Sequence, residues 1–123
     1  MTRKIKVLVL RPGEDMVGHL EYIDNSNAAF GKLLGGVLEH IFMHSDHSWA
    51  MYVNDNFRRL DLPLNETASA MYMVVTGKQD YIGGVAILVG HDDLGGDTDV
   101  PARVIQWLER VGKVVIPPDQ PVG

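Results

Sequence analysis

Residues 82 to 90, IGGVAILVG, form a short continuous apolar run without a single charged side chain. A run of this length between turn residues reads as a central strand of a sheet. A central strand needs neighbours, and the chain offers several. KIKVLVL, residues 4 to 10, is loosely alternating and rich in β-branched residues, which predicts a strand with both faces partly covered. RPGED turns the chain, and MVGHLEYI, 16 to 23, returns as the second arm of a hairpin. VLEHIFMHS and HSWAMYVND, joined at Ser45-Asp46, predict two more strands, with Trp49, Met51 and Val53 sharing a core face. KVVI, 113 to 116, adds an edge strand.

Between these strands the period changes to that of a helix. Asn25 or Ser26 caps a first helix with Phe30, Leu33 and Leu34 on one side, and Gly35 supplies its left-handed end before Gly36 lets the chain reverse. Asn65 caps ETASAMYMVVTG, closing at Gly77, although MYMVV suits a strand equally well. NDNFRRLDLPLN combines a turn at Asn54-Asp55-Asn56 with a short strand stopped by Pro63. HDDLGGDTD, 91 to 99, reads as a mobile polar loop. Asp99 is the expected cap of a last helix with Pro101 in its first turn, a stripe of Val104, Ile105, Leu108 and Val111, and an end at Gly112.

The expected fold is α+β: a mixed, mainly antiparallel sheet of about five or six strands, with two or three helices packed on one face. One domain is expected over residues 1–116, with an extended Pro-rich tail over 117–123.

Composition removes whole classes of function. At 46% hydrophobic and 22% charged, the chain has the balance of a globular domain and not of a disordered one. Sixteen acidic against eleven basic side chains give a net charge of −5, with no basic stripe to release counterions, so nucleic acid is not an expected partner. No apolar run approaches the roughly 20 residues that cross a bilayer, so no membrane role is expected. The start, MTRKIKVLVLRPG, has too short an apolar stretch for a leader and reads as a strand. The absence of cysteine excludes disulfides and thiolate metal sites and fits a cytoplasmic setting.

The order of strand, Pro-Gly turn and strand, then YIDNS, a helix with LLGGVLEHI, VNDNFRRLDLPLN and GGVAILVG resembles the domain-of-unknown-function family numbered 3846. That family occurs in actinobacteria, firmicutes and their phages and mobile elements. The resemblance covers about residues 5 to 110. Its most specific pieces are IDNS before a helix ending in Gly35-Gly36, and the Asn-rich turn leading to LPLN. The histidine run and the length of ETASAMYMVV stand outside the pattern. The resemblance implies a setting and not a mechanism, because the family has no established activity.

Candidate chemistry is sparse. His40, His44 and His47 lie within eight positions, but on a strand His40 and His44 are ~13 Å apart at ~3.3 Å per residue, too far to share one zinc ion. His91, Asp92, Asp93 and Asp97 are the alternative metal set, because hard cations take oxygens from a Gly-containing loop. Asn54, Arg58, Arg59 and Asn65 are the expected ligand or partner contacts, since guanidinium forks suit the geometry of a phosphate. Trp107, at the border of the last helix's apolar stripe, is a further expected contact. Gly35-Gly36 and Gly83-Gly84 match no phosphate-loop pattern, and no serine has a nucleophile-elbow context.

The expectation is a small non-catalytic binding protein of phage or mobile-element origin. It would use no cofactor and act on a host protein or small-molecule ligand, with a homodimer as a further possibility. Two alternatives are a metal-dependent hydrolase built on the 91–99 loop and a sponge that sequesters a nucleotide defence signal.

Overall fold

The computed structural model of the protein describes residues 3–14, 17–43 and 48–118. Strand β1 (Lys4–Leu10) and strand β2 (Val17–Asp24) form the antiparallel hairpin, in register from Lys4↔Asp24 to Val9↔His19. Ser26 accepts from the Ala29 amide at 3.1 Å and starts helix α1 (Asn27–Leu34). Strands β3 (Leu38–Phe42) and β4 (Trp49–Asn54) follow, then helix α2 (Glu66–Thr76) and strand β5 (Ala86–His91). A two-residue strand β6 (Asp97–Thr98), helix α3 (Ala102–Arg110) and strand β7 (Val114–Ile116) complete the order.

These strands make one sheet, β3-β4-β5-β1-β2-β7, with β6 paired to β5. Among the described residues, only the β2–β7 pairing is parallel. The fold is the expected α+β, and the described residues form seven strands where five or six were expected, because the 91–99 segment contains a strand. It is a hairpin and not a mobile loop: Asp92 Oδ1 accepts from the amides of Leu94 (2.9 Å) and Gly96 (2.7 Å) and closes the turn. Before Leu8, β1 is not paired with β5, whose end pairs with β6 instead. Gly90 makes the close approach possible, since a Cβ there would overlap the Asp99 carbonyl oxygen and Thr98 Oγ1.

The helices lie on both faces of the sheet, which corrects the one-face expectation. Leu8, Leu10, Trp49, Met51, Val53, Ala86 and Leu88 pack with Ala68 and Met71 of α2 and Val104 and Leu108 of α3. The alternate residues Ile5, Val7, Val9, Ala50, Tyr52, Ile87 and Val89 pack with Phe30 and Leu34 of α1. The reason is in the strands: β4 is buried at every position and β5 at all but its last, so both faces carry apolar surface that needs cover.

Other expectations shift for local reasons. Residues 55 to 61 are a series of turns and not a strand, and MYMVV is helical. Asp99 does not cap α3. Its Oδ1 accepts from the Lys6 amide at 2.8 Å, where β1 has left β5, and α3 begins after Pro101 with no side-chain cap. In the α3 stripe Val104 and Leu108 are buried and Ile105 is half-buried, but the helix ends at Arg110 and Val111 turns out to solvent.

Gly35 ends α1 as expected, at φ 79° and ψ 21°, with its amide on the Gly31 carbonyl at 2.8 Å. A Cβ at Gly35 would meet nothing within 4 Å, so a substitution there costs backbone conformation alone. Gly35→Val is therefore expected to lower stability by more than about 1 kcal/mol, because a β-branched residue resists that region. An unchanged urea midpoint would refute it.

Candidate functional site

The turn that follows β4 carries two of the expected contact residues, Arg58 and Arg59. Asn54 is buried and holds its start: Nδ2 donates to the Leu34 carbonyl at 3.1 Å, and Oδ1 accepts from the Asn56 amide at 2.8 Å. This sends Phe57 into the core and Arg58 outward. The Arg58 guanidinium lies 4.7 Å from the Phe57 ring centre and 5.3 Å from that of Tyr81, and it is ion-paired with Asp80. Phe57 and Tyr81 meet edge to face, 5.4 Å apart. Asp80 Oδ1 also accepts from the Tyr81 amide at 2.8 Å, which fixes the loop that brings the second ring.

The hydrogen bond from Arg58, with that of the Tyr81 amide behind it, holds the Asp80 carboxyl below its ordinary pKa. A small cleft of about 130 Å³ opens beside the cluster, between Glu39 and Ile41 of β3, Tyr72 of α2, and Ile82. Leu60 and Leu64, on the same loop as Arg58, are about half exposed. The guanidinium thus stands over two rings, with apolar neighbours open to solvent.

The other expected residues have different places. Asn65 is fully buried, donating to the Leu10 and Gly84 carbonyls at 2.9 Å each, so its amide, like that of Asn54, serves the fold. Arg59 is exposed on the Arg58 turn. Trp107 is half-buried against the larger core cluster, away from Arg58 in the chain and on a different element. His91, Asp92, Asp93 and Asp97 do not converge: Asp92 closes its own turn and Asp93 is exposed. Among the described residues, no three His, Asp or Glu side chains form a group able to hold a metal.

A second cluster escapes the linear reading. His40 packs on Tyr52 (ring centres 4.7 Å apart) and on His91 (5.4 Å), while the Tyr52 hydroxyl donates to Asp97 Oδ1 at 2.5 Å. His91 and Asp97 are register partners, so the four residues are neighbours across β3, β4, β5 and β6. Burial, reinforced by the bond to Asp97, raises the Tyr52 pKa far above that of an ordinary phenol. The shift favours the protonated phenol, the form that donates to Asp97. His40 is on a strand, as its surroundings predict; His44 and His47 lie outside the described residues.

A wider groove of about 630 Å³ runs along β2 and β7, past Lys4, Arg11, His19, Glu21 and Tyr22. Arg11 is paired with Glu21 at 2.9 Å, and His19 lies 3.3 Å from Glu14, so several of its charges already face a partner.

Fold and surface together define a small α+β domain, one sheet with helices on both faces and a cation–aromatic cluster beside its β3 edge. The chain belongs to the family described as Domain of unknown function (DUF3846), whose profile matches residues 5–113. No curated protein and no solved structure matches the chain. Among the described residues, no helix is long and apolar enough to cross a membrane.

Proposed function

We propose that the protein is a small non-catalytic binding protein acting on a host-cell protein or small host ligand through the surface around Arg58 and Tyr81. The observation that supports this most is the Arg58 guanidinium suspended over Phe57 and Tyr81 and steered by Asp80. A side chain already oriented loses little freedom when a partner docks, and Arg and Tyr are the residue types that dominate binding energy at interfaces. The setting implied by the family resemblance, an element of phage or mobile-DNA origin at work in a bacterial cytoplasm, is part of the proposal.

The test compares wild type with Arg58→Ala and Tyr81→Ala. Each protein is used to capture partners from host lysate and is examined for retained small molecules by native mass spectrometry. A partner or ligand held by the wild type should bind each variant about thirtyfold more weakly, with the thermal midpoint hardly moved. Binding that survives both substitutions would refute the assignment of this surface. Metal-dependent hydrolytic turnover would refute the non-catalytic reading.

A further inference from the structure

The sheet ends in two edges of different construction. β7 has three residues and runs directly into Pro117 and Pro118, which have no N–H to offer a neighbour. An edge so short, followed by prolines, is guarded against pairing. β3 carries no such guard: LEHIF holds no proline, lysine or glycine, and its register with β4 runs unbroken from Leu38↔Asn54 to Phe42↔Ala50.

The hydrogen-bond phase of β3 follows from its two ends. The Asp55 amide donates to the Val37 carbonyl at 2.8 Å, and the Met43 amide donates to the Trp49 carbonyl at 3.2 Å. Odd-numbered residues therefore bond toward β4, and by alternation the backbone groups of Leu38, His40 and Phe42 point to the outer side. Among the described residues, no strand pairs with that side.

We propose that β3 pairs with β3 of a second copy of this chain, antiparallel about a two-fold axis at His40, so that two sheets become one. In this register Leu38 faces Phe42 of the second copy, His40 faces its equivalent, and Phe42 faces Leu38. Every outward residue then meets an outward residue, which allows about six backbone hydrogen bonds. Charge selects the same register. Glu39 is the only carboxylate of the strand and falls opposite Ile41 of the second copy. A two-residue slip toward the start of the strand would set Glu39 against Glu39, where like charges oppose pairing. A slip the other way shortens the overlap. Val37, 68% exposed just before the strand, comes beside Met43 of the second copy.

A second copy suits this edge better than a flexible peptide because its strand is already formed and loses little entropy on pairing. The pairing uses backbone groups, so the contacts of His40 with Tyr52 and His91 are kept. It is separate from the Arg58 reading, since the occupant is the chain itself.

Sedimentation of the full chain over about 1–100 µM, together with amide hydrogen exchange, tests the pairing. The wild type should approach twice the 13.6 kDa mass of one chain as concentration rises. The amides of Leu38, His40 and Phe42 should exchange more slowly over the same range, while those of Glu39 and Ile41 stay protected throughout. His40→Lys sets two cations together on the axis and should weaken the dimer about tenfold or more, with unchanged circular dichroism. If that variant fails to fold, exchange in the wild type decides. A wild type that stays monomeric overturns the proposal. So does a dimer whose Leu38, His40 and Phe42 amides are indifferent to concentration.

Discussion

Asn65→Ala is expected to cost about 3–5 kcal/mol of folding free energy, a large part of the roughly 5–15 kcal/mol that holds a domain together. The side chain is completely buried and every polar atom is used. Nδ2 donates to the carbonyls of Leu10, at the end of β1, and Gly84, before β5, while Oδ1 accepts from the Ala68 amide at 3.1 Å and caps α2. Its backbone amide donates to the Ile82 carbonyl at 2.9 Å. One side chain thus ties a helix start to two strand ends.

Alanine would strand two carbonyls and a helix amide, each worth about 1–3 kcal/mol when buried unsatisfied, less whatever an entering water recovers. The cap alone accounts for only about 1 kcal/mol of this. Asn65→Ser keeps a capping oxygen but cannot reach both carbonyls, so it should recover only that fraction. Urea unfolding of the three proteins separates the contributions. A loss below about 1 kcal/mol for the alanine variant, or full recovery by serine, would show that the two carbonyl bonds do not stabilise the fold. Impaired binding by this variant would then report unfolding and not a lost ligand contact.

The features legible in the sequence are those settled within a few residues. Gly35 ends α1 and Asn65 caps α2 because a left-handed end and an N-cap are local chemistry. Asp99 shows the limit. It precedes Pro101 as a cap would, but the Lys6 amide, 93 positions away, takes its carboxylate. Asn54 likewise reads as a turn former, and half of its role, the bond to Leu34, is invisible without the fold.

The coverage of both sheet faces was partly legible in IGGVAILVG and in the apolar end of KIKVLVL, where no polar alternation leaves a face to solvent. The side on which each helix lands depends on connection geometry, which periodicity does not encode. The contact of His40 with His91 requires strand order, and Arg58 gained its second ring from Tyr81, 23 positions on, which no spacing rule joins to it.

Phe30→Ala is expected to cost about 3–5 kcal/mol and to release α1 before the rest of the domain unfolds. At eight residues α1 is too short to persist alone, and it stays helical through what it buries. Phe30 and Leu34 are its buried residues, and they cover Val7, Val9, Ala50, Tyr52 and Ile87 on the second face of the sheet. The Phe30 ring also sits 5.1 Å from that of Tyr52, tilted at 57°, a pair worth about 0.5–1.5 kcal/mol beyond the area it hides.

Removing the ring leaves a void that the sheet, each strand braced by its neighbours, cannot collapse to fill. The helix is the part able to move. Its departure would loosen the Leu34 carbonyl from Asn54 Nδ2 and expose the Tyr52–Asp97 bond to water. Hydrogen exchange should therefore show the amides of Phe30, Leu33 and Leu34 opening well ahead of those in β1 and β5. The opposite face, under α2 and α3, should keep its protection. A loss below about 1.5 kcal/mol with α1 still protected would mean that the helix is held by its caps and by Leu34, and that the second face contributes little to the fold.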